Sequence, residues 1–236
     1  MPVVGISAAA VVAAVAMVAQ LRTDDDQGAR PIPTTSAEQT PSVAPTTSAV
    51  QTRQTPSAAP TTKSTSAAQA AAEVVRTCTA EMRSTEAMVG AVRIAATHWR
   101  EHVQAQTDLI AGKNTTATTT AIWKRTRLAG PGDITRVSLA TANLKNQAGC
   151  AKLRGPAATS CSQRKAAMEV AITTGRAAAQ DWANHLSMMA AHASGDLGAI
   201  HAQQRWIDQW RAAPKNLDAF AQAAAALSKA PGCAPA

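Results

Sequence analysis

The sequence predicts an all-α domain built from two tandem copies of one helical hairpin. A unit of 73 residues from Cys78 to Cys150 returns without insertion or deletion, 83 positions later, as Cys161 to Cys233. The 236 residues include abundant Ala but only five Trp, one Phe and no Tyr, a composition that favours helices over strands. Apolar residues recur at helical spacing in both copies.

The two copies keep one register throughout their length. The recurring landmarks after the first cysteine are Trp99 and Trp182, His102 and His185, Gly112 and Gly195, Trp123 and Trp206, and Pro131 and Pro214. We therefore expect a single folded domain of about 155 residues, which is a common domain size. Repeat 1 is assigned to residues 70–150, the linker to 151–160 and repeat 2 to 161–236.

The first 21 residues are predicted to form a hydrophobic anchor or signal segment. Val3 to Ala19 is apolar, and 17 helical residues span about 26 Å, at the short limit for a bilayer. We expect an uncleaved membrane anchor with the following chain outside the cell. Cleavage after Ala14-Val15-Ala16 and secretion is one alternative, and a soluble cytoplasmic protein is another. No Lys or Arg precedes Arg22, so the basic residues typical of such segments are missing or lie upstream.

Residues 22–69 are predicted to be a disordered stalk. Their composition shifts to Pro, Thr, Ser, Ala and Gln, as in Pro45-Thr46-Thr47 and Pro60-Thr61-Thr62. Such a stretch has too little apolar surface to offset its ordering entropy. Prolines extend it toward polyproline II, so that forty residues reach on the order of 100 Å. We expect a spacer, open to O-glycosylation, that holds the domain away from the membrane; an unstructured tail without a role is the alternative.

The outgoing arm of each hairpin is predicted to be one long helix. Its signal begins near Ser66 and strengthens from Cys78 to Ala111, where Gly112 is placed to end it and residues 114–116 to cap the next helix. Its predicted core face comprises Met88, Val92, Ala95, Trp99, Val103, Gln106 and Ile110. Glu86 and Arg93 lie on the opposite face.

The return arms carry a proline at the same place in both copies. Pro131 and Pro214 interrupt an otherwise helical spacing. Because proline breaks or kinks a helix, we expect Pro-kinked return arms, each divided into two helices near residues 129–133 and 212–216.

Four cysteines close the two units. Antiparallel arms of equal length bring Cys150 back to Cys78 and Cys233 back to Cys161, and only this pairing treats the copies alike. Each bond closes about 70 residues, worth about 4 kcal/mol in the chain-entropy model. An even cysteine count without Cys-x-x-Cys favours disulfides over metal binding. Disulfides in turn indicate an oxidising compartment. Two such hairpins, packed about a pseudo-twofold axis, resemble a four-helix bundle.

Histidines on the outgoing helices are candidate metal ligands. If these helices face each other, His98, His102, Asp181 and His185 form two i, i+4 pairs, a spacing that can hold zinc. In the second copy His185, Met189 and His192 share a face, and thioether with imidazole favours copper as Cu(I). The competing interpretation is packing, with each histidine beside a tryptophan and Met189 filling the core.

A second candidate site is anionic. Trp123, Lys124, Arg125 and Arg127 place an aromatic ring beside three cations, suited to a sugar face or a phosphate. The counterpart in copy 2 has Trp206 and Asp208, so we expect a solvated face in the first copy and a buried one in the second.

Charge and the absence of catalytic motifs limit the function. The net charge of +8 lies entirely between Cys78 and Cys233, which favours anionic partners such as cell-wall polymers; solubility is the simpler interpretation. The sequence contains no run of five or more basic residues, so we expect no nucleic-acid binding. The sequence has no Ser/His/Asp grouping, phosphate loop or His-Glu-x-x-His. We therefore expect a non-enzymatic binding or structural domain at the bacterial cell surface without a cofactor, with copper or zinc binding as the alternative.

Overall fold

The computed structural model describes residues 62–144 and 149–234, with side chains from residue 67 onward. These residues form four long helices: α1, Thr62–Ile110; α2, Thr116–Leu144; α3, Pro156–Ala193; and α4, Ala199–Lys229. A short 3₁₀ turn, Cys150–Lys152, precedes α3, and the described residues contain no strand. The all-α prediction is confirmed. Residues 1–21 and most of the predicted stalk lie outside the described residues. Among the helices of residues 62–144 and 149–234, none combines the length and apolarity needed to cross a membrane.

Local capping chemistry ends the outgoing helices and starts the first return helix. Gly112 and Gly195 adopt φ of +69° and +87°, the left-handed conformation that glycine tolerates at a helix C-terminus. Thr115 accepts a hydrogen bond from the backbone N–H of Thr118 through its Oγ1 at 3.1 Å, which caps α2. Both predicted turns are therefore present.

Two boundaries differ from the prediction. Helix α1 begins at Thr62, so residues 62–69, assigned to the stalk, are helical. Helix α3 begins at Pro156, inside the predicted linker 151–160. Gly155 has φ +77°, which turns the chain, and Pro156 then occupies a first-turn position where its missing N–H costs no hydrogen bond.

The prediction that each return arm divides into two helices is wrong. Helix α2 continues through Pro131 and α4 through Pro214. Each proline removes one N–H from the ladder, and its ring crowds the carbonyl four residues earlier. Buried residues on both sides nevertheless keep the helix continuous: Gly130 and Asp133 in α2, and Ala213 and Leu217 in α4. Beside Pro131, Gly130 lies so close to α3 that a Cβ there would stand 2.6 Å from Leu186.

Both disulfides join the two ends of their own hairpin. Cys78 bonds Cys150 and Cys161 bonds Cys233, each across 72 residues of sequence. The predicted pairing is confirmed. Disulfides of this kind persist in oxidising compartments, which points to an extracytoplasmic environment.

Helices α1 and α3 form the centre of the bundle and run parallel. Residues 83 positions apart meet across their interface: His102 contacts His185, and Trp99 stacks on Trp182. Nearer the disulfides, Val92 fills the space left by the missing side chain of Gly175. Equivalent residues touch only on a twofold axis, so this axis runs along the two helices. Helices α2 and α4 flank the central pair.

The predicted core face of α1 is buried, with one exception. Its members from Met88 to Gln106 are at most 6% exposed, whereas Ile110 at the helix end is 45% exposed. Glu86 and Arg93 are exposed as predicted. Glu86 forms an ion pair with Arg164 of α3, in which Arg164 Nη2 donates to Glu86 Oε1 at 3.2 Å.

Candidate functional site

Six aromatic and imidazole rings surround the pseudo-twofold axis where α1 and α3 cross the middle of the bundle. We call this group the axial cluster; its members are Trp99, His102, Trp123, Trp182, His185 and Trp206. Each is 7% exposed or less. The centroids of Trp99 and Trp182 lie 5.4 Å apart, and that of Trp99 lies 5.0 Å from His185, within the range for favourable aromatic pairs.

The two imidazoles of the axial cluster meet edge to edge. Nε2 of His102 lies 3.1 Å from Nε2 of His185. Their outer nitrogens contact side-chain oxygens: His102 Nδ1 lies 2.7 Å from Thr126 Oγ1, and His185 Nδ1 lies 2.9 Å from Gln209 Oε1. Thr126 and Gln209 are themselves 83 positions apart, so the whole polar chain follows the duplication.

Two arrangements of protons are compatible with these contacts. The Thr126 hydroxyl donates to the Ile122 carbonyl at 2.9 Å, so it accepts from His102 Nδ1–H and leaves His102 Nε2 with a lone pair. If the Gln209 amide nitrogen faces His185 Nδ1, His185 Nε2–H donates to His102 and every group is satisfied. If the Gln209 oxygen faces His185 Nδ1, that nitrogen carries the proton and donates it to the oxygen. The Nε2 atoms of His102 and His185 then both carry lone pairs that point at each other, a position suited to a proton or a cation.

Burial keeps both imidazoles neutral at pH 7. Desolvation lowers the pKa of His185 to about 4, with the Gln209 hydrogen bond acting in the opposite direction. Desolvation also lowers the pKa of His102 well below its ordinary value, and the neighbouring His185 and Arg127 add to the shift. A charged ring would have to give up its hydration, which an apolar interior does not replace.

Comparisons with known proteins assign no role to this cluster. The chain matches no family model, no curated protein and no solved structure.

The other two members of the predicted four-ligand set lie away from the imidazole pair. His98 Nδ1 lies 2.7 Å from Asp133 Oδ2, and Asp181 accepts from Asn216 Nδ2 at 2.8 Å. These are equivalent pairs in the two copies, with donor and acceptor exchanged. Asp133, only 2% exposed, also accepts from Trp182 Nε1 and Arg136 Nη1, both at 3.3 Å.

The predicted Cu(I) ligands on α3 have packing roles. His192 Nδ1–H donates to the Leu197 carbonyl at 2.9 Å and fastens the turn after α3, and Met189 packs against the core. Among the described residues, only Cys78, Cys161 and Cys233 form a set of three or more His, Cys, Asp or Glu ligand atoms within 4.8 Å of one another. All three are in disulfides.

The predicted anionic site does not present its tryptophan. Trp123 is 6% exposed, and its Nε1–H donates to the His102 carbonyl at 3.0 Å, so its ring is not open to a sugar. We expected a solvated face in the first copy, but its tryptophan is buried, because Trp123 packs in the axial cluster as Trp206 does in the second copy. Lys124 and Arg125 are exposed and Arg127 is half-buried.

Arg125 borders an open groove on the surface of α1. The groove has a volume of about 410 Å³ and lies between α2 and α4. Its floor is apolar and its rim is charged; the lining residues include Ala96, Ile122, Leu217, Phe220 and Ala221 below, and Arg100, Glu101, Asp108 and Arg125 above.

Sequence reasoning missed this groove because residues from three helices build it. It also missed a heptad on α1, although a seven-residue spacing was present. Cys78, Thr85, Val92, Trp99 and Gln106 are all at most 5% exposed and occupy successive positions of one seam. The predicted core face included Val92, Trp99 and Gln106 of this seam but not Cys78 or Thr85, because threonine is a polar residue and the cysteine was assigned to the disulfide.

Proposed function

We propose that this protein is a binding domain presented outside the cytoplasm, and that the groove between α1, α2 and α4 is its ligand site. The groove is the observation that supports binding. Its volume lies within the range of small-molecule sites, and an apolar floor with a few charged groups at the rim is their usual composition.

The rim favours a ligand with an anionic group and an apolar body. Arg125 Nη2 lies 2.7 Å from Glu101 Oε2, and Arg100 Nη2 lies 2.9 Å from Asp218 Oδ1. Both pairs are largely exposed, and exposed ion pairs contribute only about 0–1 kcal/mol. A ligand carboxylate or phosphate can therefore replace the protein carboxylate at small cost, while its apolar part covers Leu217 and the edge of Phe220.

The duplication supports a specialised role for this face. The counterparts of Arg125, Arg100 and Glu101 in the other copy are Asp208, Ala183 and Asn184. Only one of the two equivalent faces therefore has this pair of arginines beside the apolar floor.

The groove is tested with matched anionic and neutral ligands. We expect hexanoate to shift the NMR signals of the groove residues more strongly than hexanol, and Arg125→Ala to weaken the hexanoate response about tenfold, as the loss of a charged hydrogen bond implies. Arg93→Ala, on the exposed outer face of α1, is the control. Equal responses of the two variants, or no response to either ligand or to an acidic cell-wall polymer, would contradict the proposal.

Residues 1–21 and the stalk give this domain its proposed location. We propose that the first 21 residues tether it to the membrane of a bacterial cell and that the stalk spaces it from the surface; the two disulfides support an oxidising compartment. Removal of residues 1–21 should move the protein from the membrane fraction. A cytoplasmic protein with four free thiols would contradict this location.

A second candidate function is the binding of a soft metal ion between His102 and His185. The observation that favours it is the pair of Nε2 atoms facing each other while both Nδ1 atoms contact oxygens, since metal-binding histidines commonly donate their second N–H to an oxygen. To bind one ion at about 2.0 Å each, the two Nε2 atoms would have to move from 3.1 Å to about 4 Å apart. Cu(I) or Ag(I) titration should then quench the surrounding tryptophans in the wild type and not in His185→Gln, whereas no quenching at micromolar metal would exclude the site.

A further inference from the structure

The two disulfides lie against each other at one end of the central helix pair. The Sγ atoms of Cys78, Cys161 and Cys233 are all within 4.8 Å of one another. Cys78 therefore stands beside both sulfurs of the disulfide that closes the other hairpin. Two independent staples would not need this proximity.

Access to these sulfurs is unequal. Cys78 and Cys161 are 0% and 1% exposed, whereas Cys150 and Cys233 are half-buried. An incoming thiol can approach the first disulfide only from the side of Cys150. Thiolate attack on one sulfur of a disulfide expels the other, so attack on Cys150 releases Cys78 as a thiolate inside the bundle.

We propose that this end of the bundle is a thiol–disulfide exchange site. Once the first disulfide is opened, the Cys78 thiolate attacks the disulfide of the second hairpin. The substrate class is a thiol, either a small molecule or an accessible cysteine of a peptide. This proposal is independent of the groove.

The exchange has two steps. In the first, a substrate thiolate attacks Cys150 Sγ, the Cys78–Cys150 bond breaks, and a mixed disulfide forms between the substrate and Cys150. In the second, the Cys78 thiolate attacks Cys161 Sγ, the Cys161–Cys233 bond breaks, and Cys233 leaves as the thiolate. Each step replaces one S–S bond with another, so no external oxidant or reductant is consumed. The product joins α1 to α3 and presents a thiol at the half-buried Cys233.

Glu81 keeps the first hairpin closed while its disulfide is open. The backbone N–H of Cys150 donates to Glu81 Oε2 at 2.6 Å, and Lys165 Nζ of α3 lies 3.6 Å from the other carboxylate oxygen. Glu81 is 6% exposed. The residue equivalent to Glu81 in the second copy is Arg164. Because an arginine side chain cannot accept a hydrogen bond from an N–H, this contact to the backbone of the second cysteine has no equivalent at Arg164.

The test compares two variants of the whole chain, in each of which one of the four cysteines is replaced by serine. In Cys150→Ser, Cys78 is left as a thiol beside the second disulfide; in Cys78→Ser, Cys150 is left as a thiol outside the group of three close sulfurs. Both proteins are quenched with acid, denatured and alkylated before non-reducing peptide mapping. In a large fraction of the Cys150→Ser molecules, Cys78 should be bonded to Cys161 or Cys233. Cys78→Ser should keep Cys161–Cys233 and be alkylated at Cys150 alone.

A second measurement uses the wild-type protein, so that the result does not depend on the folding of a variant. Limiting glutathione should yield a species with glutathione on Cys150 and a bond between Cys78 and the second hairpin. The proposal is overturned if partially reduced wild-type protein contains only Cys78–Cys150 and Cys161–Cys233 bonds, or if Cys150→Ser is alkylated at Cys78 alone.

Discussion

Equivalent tryptophans of the two copies differ in their hydrogen bonding. Trp99 and Trp182 are both 0% exposed, but Trp182 Nε1–H donates to Asp133, while Trp99 Nε1–H has no acceptor in the described part of the chain. A buried donor without an acceptor costs about 1–3 kcal/mol, and a buried hydrogen bond contributes about 1 kcal/mol. The duplication thus supplies a natural comparison.

We expect Trp182→Phe to destabilise the domain more than Trp99→Phe, by about 2 kcal/mol. Both substitutions remove the same volume, so the difference between them isolates the N–H group. Free energies of unfolding from urea titration check the expectation. Equal losses would mean that Trp99 has an acceptor, such as a water molecule.

The pair formed by His98 and Asp133 can be exchanged for its counterpart in the second copy, Asp181 with Asn216. His98→Asp alone brings two carboxylates together beside the buried Asp133, so we expect a loss of several kcal/mol, on the scale of a broken buried pair. Adding Asp133→Asn lets the new amide donate to the carboxylate introduced at position 98 and accept from Trp182.

The double variant His98→Asp with Asp133→Asn should therefore regain more than half of that loss. A double-mutant cycle on unfolding free energies measures the coupling. Additive effects of the two substitutions would show that the pairs are not interchangeable.

At the scale of helices, the contact between α1 and α3 depends on one glycine. A Cβ on Gly175 would stand 2.5 Å from Cγ2 of Val92, and Val92 is 0% exposed, so it has no room to withdraw. Gly90 is also inside a helix, but a Cβ there would meet nothing within 4 Å.

We expect Gly175→Ala to destabilise the domain by about 1–3 kcal/mol, the usual cost of overpacking. Gly90→Ala should stabilise it by about 0.5–1 kcal/mol, because alanine loses less backbone entropy in a helix. Thermal and urea unfolding of both variants test this. Stabilisation by both substitutions would mean that α1 and α3 are not packed closely at this point.

Sequence periodicity predicted which face of α1 is buried but not which helix covers it. The hairpins, their glycine turns and both disulfides followed from local spacing and from the exact duplication. The approach of α1 to α3 depends on Gly175, whose counterpart Val92 gives no sign of it. The burial of Trp123 was missed because its neighbours Lys124 and Arg125 are charged, although their side chains leave the helix in other directions.

At the scale of the whole domain, the axial cluster joins the two hairpins through His102 and His185. The pKa of each is lowered by burial, that of His185 from 6.5 to about 4. Above pH 6.5 the folded and unfolded states are both neutral at these positions, and stability does not depend on them. Between pH 6.5 and 4 the unfolded chain binds protons that the folded domain does not, so stability falls as the pH falls.

We expect the free energy of unfolding to decrease by about 3 kcal/mol between pH 7 and pH 4 from His185 alone, since each unit of pKa shift corresponds to 1.36 kcal/mol. His102 acts in the same direction. Urea titrations at several pH values measure the loss, and His185→Gln is the control, because its amide can occupy the same contacts without titrating. The variant should be less stable than the wild type at pH 7 and lose less on acidification. An equally steep profile in both proteins would show that His185 is not the source of the acid sensitivity.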